Sequence, residues 1–495
     1  MDAAALARFV ERRYDEDLIP RLVEYVRVPA KSPAFDGDWS AHGHLARVVQ
    51  SAHAWAEAQK ISGMTLDIVA IEGRTPCLYF DVPAAGGGAR ATPAAGGIAA
   101  GGSGDGRTVL FYGHLDKQPE MSGWQEGFGP WTPRIDNGRL YGRGAADDGY
   151  AIFAALTVIA AIDAQGAPRP RCVGLIETCE ESGSPDLPAY LELLAPRLGD
   201  VRLVLGLDSG CGNYDQLWVT TSLRGLVNGV LTVEVLSEGV HSGRASGLVP
   251  SSFRIARKLL NRIDDPDTGH VLLPELQSEI PAERQAEAKV AGAILGDEVW
   301  KEFPWVGCSH GEGAHTHAMP TTTDPAEAIL AKTWRAALSV TGGAGLPSVD
   351  SAGNVLRPRT TLKLSLRIPP SVDAERAVHA VKRALEEDAP YRANVTYRPE
   401  SWSTGWNAPE TAPWLRRLLD EASHAHFGRP AAYTGEGGTI PFMNMLGEKF
   451  PQAQFVITGV LGPRSNAHGP NEFLDIACVK KLTAAMAQVV AHASL

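Results

Sequence analysis

His114 and Asp116 stand two residues apart in YGHLDKQPE, at the end of an apolar run. On a strand that spacing sends both side chains to one face. An imidazole and a carboxylate converging there form half of a divalent-cation site. Asp147 and Asp148, in YGRGAADDG, sit at the head of an apolar helical stretch, where carboxylates are also common for dipole reasons alone. Glu180 and Glu181 close the run VGLIETCEE. Neighbouring carboxylates repel unless a cation compensates them. On a strand they would point opposite ways, one toward a metal and the other toward a water. Asp208 ends another apolar run in GLDSG, His241 falls in VHSG, and His468 in NAHGPNE. Each motif alone has a bland reading as a capped loop, a helix start or a solvated turn. Together they place acidic or imidazole groups at the ends of four candidate strands and one helix. That is the stock for a binuclear site, two ions roughly 3.5–4 Å apart sharing a carboxylate.

The elements that must position these groups follow from the apolar pattern. Runs at 108–116, 173–181, 201–210 and 454–461 read as strands, and the first three are separated by helical stretches at 149–165 and 187–197. This alternation predicts an α/β fold with a mostly parallel sheet covered by helices on both faces. Such sheets carry ligand sites at the carboxyl ends of their strands. GLVNGVLTVEVLS (225–237) and TTLKLSLRIP (360–369) instead alternate apolar and polar residues, which predicts strands with one solvated face. The expected division is a catalytic domain over 1–221 and 399–495, with an inserted α+β lid or dimerisation domain over 222–398. Residues 84–106 are nearly all Gly and Ala and read as a flexible surface insertion.

Composition excludes several classes. A net charge of −11 does not attract nucleic acid or anionic lipid, so neither is expected as a partner. No segment reads as a membrane span or a secretory leader. The six cysteines form no CxxC pair, which argues against a thiolate zinc site and fits a reducing cytoplasm. The GxG at 142–144 lacks the third glycine of a dinucleotide fingerprint, and neither a P-loop nor a G-x-S-x-G elbow is present.

YGHLDKQPE, LYGRGAADD, EESGSPDL, the Asp208 strand, VHSG, LRIP, EGGTIP and AHGPNE, taken in order, resemble the M20 family of metallopeptidases, and within it the carnosinase-like dipeptidases. The resemblance spans nearly the whole chain. It implies a zinc-peptidase α/β domain and a lid that mediates a homodimer. It implies two divalent cations per subunit, zinc first and manganese or cobalt next. His114 and Asp208 would hold one cation, Glu181 and His468 the other, and Asp147 would bridge them through a residue whose bond to Asp148 is cis. Asp116 would orient His114, and Glu180 would be the general base for a water activated by both cations. His241 would stabilise the oxyanion, commonly from the partner subunit. Arg367 and Asn354 would hold polar substrate groups, and Gly437, Gly438 and Thr439 the substrate carboxylate. The implied reaction is hydrolysis of an amide bond in a short peptide, first of all a dipeptide. An N-acyl amino acid deacylase on the same scaffold is the alternative, and a binding protein without catalysis is disfavoured because Glu180 and all five ligands are present. Three places depart from the family pattern: Gly149 where a lysine is usual, Gly239–Val240 before HSG, and Arg464–Ser465–Asn466 before the last ligand.

Overall fold

Apolar runs that end in acidic residues become the central strands of one sheet. The computed structural model describes residues 1–86, 107–303, 305–306, 318–438 and 441–493. Most of the Gly/Ala insertion, from residue 87 on, lies outside them. The chain divides into two units, the first comprising Met1–Thr220, Ala408–Tyr433 and Met445–Leu495, the second Thr221–Asn407 and Thr434–Asn444.

The sheet of the first unit contains β1 (Thr65–Val69), β2 (Cys77–Val82), β3 (Arg107–His114), β4 (Arg171–Glu177), β5 (Asp200–Gly206), β6 (Trp218–Leu223) and β7 (Gln454–Ile457). Their spatial order is β1-β2-β4-β3-β5-β7-β6, and β6 runs on into the second unit after Thr220. The centre is parallel, as expected: β3 pairs in parallel with β4 and β5, and β7 with β5. Both flanks are antiparallel, so the sheet is mixed. The reason on one side is loop length. Residues 70–76 are too few for the crossover that a parallel β1–β2 pair would need, about a dozen residues or more.

β3 and β4 are buried along almost their whole length, because helices cover them. Helix Ala151–Ala164, buried at nearly every position, packs on both strands and against the terminal helix Ile476–His492. The register sets His114 beside Glu177, and Tyr112 beside Gly206. The loops that follow β3, β4 and β5 therefore leave from one edge of the sheet.

The second unit holds a four-stranded antiparallel sheet in the order Ala337–Ala344, Arg359–Ile368, Gly225–Glu234, Asn394–Ser403. Burial alternates strictly along the two central strands, as their residue pattern predicts. The apolar face, including Val227, Leu231, Leu364 and Leu366, packs against Ile255, Leu259, Val378 and Val381 from helices Ser252–Leu260 and Ala374–Glu386. No helix among the described residues is long and apolar enough to cross a membrane.

Candidate metal centre

Asp147 lies at the middle of the site. Its Oδ1 is 3.2 Å from His114 Nε2, and its Oδ2 is 3.1 Å from His468 Nε2. Asp208 Oδ2 stands 3.7 Å from His114 Nε2, and Glu181 Oε2 stands 3.3 Å from His468 Nε2. Two triads result, His114–Asp147–Asp208 and Asp147–Glu181–His468, each with donor atoms within 4.8 Å of one another and with Asp147 in common.

Different elements deliver these groups. His114 is the last residue of β3 and is fully buried. Its Nδ1 faces the Asp116 carbonyl at 3.1 Å and the Asp116 carboxylate at 3.4 Å, which leaves Nε2 turned to the cluster. Asp147 comes from the loop before the buried helix, and the Asp147–Asp148 peptide is cis. Asp208 follows β5 by two residues. His468 sits in the loop before the terminal helix with a positive φ of 64°.

Glu180 and Glu181 are not on a strand, contrary to the expectation for VGLIETCEE. β4 ends at Glu177, and Glu180–Ser182 form a 3-10 turn. The cause is Asp116, whose two carboxylate oxygens accept the N–H groups of Glu180 (3.1 Å) and Glu181 (3.0 Å). Asp116 thus serves two parts of the site at once. Gln118 adds a hydrogen bond of 2.6 Å to Glu181 Oε2. Below the turn, Glu177 accepts from the Tyr112 hydroxyl, Ser184 Oγ and Cys179 Sγ. Burial pushes its carboxyl up to about 7.

Electrostatics show a shortage of positive charge. Burial, with Asp147 and other carboxylates nearby, holds Glu181 well above the usual carboxylate range. Burial and Asp208 do the same to Glu180 and Asp148, and Asp208 is raised to about 6. Asp148 is fully buried, and its Oδ1 has no hydrogen-bond partner. Burial opposes protonation of the two histidines, yet the carboxylates outweigh it, raising His114 well above its ordinary value and His468 to about 9. These shifts all run toward the protonated form, and metal and proton compete for the same lone pairs. Five N and O donors with no sulfur suit zinc, manganese or cobalt.

Gly149, one of the departures from the family pattern, has a physical cause. A Cβ there would lie 2.1 Å from the Tyr25 ring and 2.7 Å from the Gly144 carbonyl. The Tyr25 ring also stacks on the buried Lys117, whose Nζ is 3.8 Å from the ring centroid and donates to the carbonyls of Tyr25 and Val28.

The remaining candidates belong to the second unit and fall in two places. His241 pairs with Val355 in a short two-stranded ladder, is exposed, and accepts the Gly243 N–H on Nδ1 at 3.1 Å. Asn354 lies beside it, its carbonyl accepting the Ser242 N–H at 2.9 Å. Arg367 is near the other end of strand Arg359–Ile368, opposite Leu226. Next to it Arg224, brought down to about 10 by burial and by the Arg367 charge, donates to the Gly437 carbonyl at 3.3 Å. Gly438 follows and is exposed. Thr439 lies outside the described residues. Arg224 and Gln118 were not singled out in the sequence. The signal for Arg224 is a lone cation inside WVTTSLRGLVNGVL.

Comparison with known proteins identifies the family. The cysteinylglycine-S-conjugate dipeptidase of Corynebacterium striatum is 26% identical over 382 residues, covering 75% of this chain and 78% of that protein. The human Beta-Ala-His dipeptidase is 27% identical over 360 residues, covering 69% and 66%. Among solved structures, an M20 family metallo-carboxypeptidase from Sulfolobus solfataricus superposes with a TM-score of 0.71 at 20% identity, covering 96% of this chain and 99% of that one. Human carnosine dipeptidase 1 superposes with a TM-score of 0.70 at 19% identity, covering all of both chains. Residues 110–492 match the description Peptidase family M20/M25/M40, and the chain belongs to that family.

Proposed function

We propose that this protein is a two-cation exopeptidase that hydrolyses the amide bond of short peptides, dipeptides first. The observation that carries the reading is the placement of Asp147, with one carboxylate oxygen facing each histidine and a further carboxylate completing each triad. The similarity to dipeptidases of two different specificities supports the substrate class. His114, Asp147 and Asp208 would hold one divalent cation, and Asp147, Glu181 and His468 the other, zinc before manganese or cobalt. When bound, the cations supply Lewis acidity at the scissile carbonyl and lower the pKa of a water toward about 7.

The chain's own groups do the rest. Glu180, on the turn capped by Asp116, takes the proton of the attacking water and returns it to the leaving amine. Arg367 and the Gly437–Gly438 segment receive the substrate carboxylate, and Arg224 fixes that segment from behind. His241 donates to the developing oxyanion.

His241 and Arg367 serve one substrate only if two copies combine. The eight steps of extended strand from Arg359 to Arg367 run about 26 Å, and Pro358 at the near end packs beside Gly239, two residues before His241. A dipeptide spans about 7 Å and cannot reach both within one subunit. Asn354 shares the His241 end, so it acts with His241 rather than with Arg367. The outer strand Ala337–Ala344 carries no charge, leaves Val340 half exposed, and has an unpaired edge among the described strands. Such an edge is a template for pairing with a second copy. We therefore read the second unit as the dimerisation and lid domain of a homodimer.

The test is turnover by metal-loaded protein on unblocked dipeptides beside matching N-acetyl amino acids, with a chelated control. Chelator-sensitive cleavage of dipeptides is the expected result. Cleavage of the N-acyl compounds alone would transfer the protein to the deacylases, and turnover that survives chelation would contradict the cation chemistry.

A further inference from the structure

We propose that the buried ion pair Arg143–Glu472 is the positioning device for His468, so that the cation site of Asp147, Glu181 and His468 depends on it more strongly than the site of His114, Asp147 and Asp208, which shares only the Asp147 turn with it. The inference rests on the two-cation reading above and adds an inequality between the two sites.

His468 is the least supported of the five ligands. Its side chain is 55% exposed, whereas those of His114, Asp147, Asp208 and Glu181 lie between 0% and 9%. Its loop has four non-glycine residues with positive φ: Arg464, Asn466, His468 and Asn471. That region is sparsely populated by L residues, so neighbours must hold the loop in place. His114 needs no such help, because it ends a strand in register with β4.

Arg143 supplies the support. Its Nη1 donates to Glu472 Oε2 at 2.7 Å, its Nη2 to the Gly469 carbonyl at 2.8 Å, and its Nε to the Pro119 carbonyl at 3.1 Å. Glu472 answers from the other loop. Its Oε1 accepts the N–H of Gly144 at 2.9 Å and of Ala146 at 3.4 Å, and its carbonyl accepts the Gly142 N–H at 2.9 Å. Both residues are at most 1% exposed. One pair therefore joins three segments: the turn that leads into Asp147, the loop bearing His468, and the stretch after Asp116. The forked guanidinium is needed to reach all three acceptors, which a lysine cannot do. Neither group hydrogen-bonds to a donor atom of the candidate ligands; Glu472 reaches His468 only through its charge, which Arg143→Lys leaves in place.

A purely structural role would weaken both cation sites together. The test is cobalt titration of the chelator-stripped full-length protein, read by visible absorption and by direct metal counting, with circular dichroism as the folding control. In Arg143→Lys and Glu472→Gln the second equivalent should weaken by about 10- to 100-fold, and the first by clearly less. Asn471→Gly is the milder variant. Asn471 is half-buried, its φ of 62° suits glycine, and the change removes only loop ties, among them the bond from the Gln125 N–H to Asn471 Oδ1 at 2.8 Å. It should weaken the second equivalent alone, to a smaller degree, and it decides the matter if the buried variants do not fold. Parallel weakening of both equivalents, or no change in either, would overturn the proposal. A wild-type protein that takes up fewer than two equivalents would instead defeat the two-cation reading itself.

Discussion

The two units treat their chemical groups in opposite ways. In the first, His114, Asp116, Asp147, Glu181 and Asp208 are buried or nearly so and touch one another across a few ångströms. In the second, His241 and Asn354 are exposed and stand a strand's length from Arg367 and Gly437. A buried cluster with excess negative charge is complete only with cations. On the proposed reading the distant groups of the second unit are completed by substrate and a second copy. Ligand binding and substrate binding should therefore fail separately.

Asp147→Asn attacks the group that both triads share and should have the largest effect. Metal counting should find both cations lost and turnover at background. Retention of one tightly held cation would show that Asp147 does not bridge. His241→Ala should leave the cation count at two and lower kcat by about 10²- to 10³-fold. Mixing it with an inactive Glu180→Ala protein, under conditions that exchange subunits, sharpens the comparison. Random pairing should restore about a quarter of the wild-type rate if His241 works across the dimer, and nothing if it works within its own chain.

Glu177 gives the smallest expected effect, on stability. Burial, opposed by donation from Tyr112 and reinforced by Asp116, raises its carboxyl to about 7 from an ordinary 4.5. Below the ordinary value both folded and unfolded chains hold the proton. As pH rises toward 7 the unfolded chain loses it first, so stability of the metal-free protein should fall across that window, by at most about 3 kcal/mol, and level off above it. Denaturant melts of Glu177→Gln should lack that fall. An identical pH profile would mean that Glu177 ionises normally.

The same contrast explains what the sequence could reveal. His114 and Asp208 were legible because a polar group that ends an apolar run must emerge at a sheet edge. The parallel centre was legible from strand–helix alternation, and the half-buried sheet of the second unit from period-two patterning. Glu180 and Glu181 were found but given the wrong local structure, because the turn is set by Asp116, 64 residues away from Glu180. Strands Ala337–Ala344 and Asn394–Ser403 escaped notice, their glycines, prolines and polar residues obscuring the alternation. Arg143 and Glu472 sit inside quoted motifs, yet their partnership spans 329 positions and has no local signature. The resemblance grouped Asn354 with Arg367, and most of the strand Arg359–Ile368 lies between them.

Glu180→Ala separates cation holding from proton transfer when cation content and turnover are measured on the same preparation. Two cations should be retained and turnover reduced by about 10²- to 10⁴-fold. Turnover near the wild-type rate with both cations in place would contradict the role of Glu180 as proton carrier.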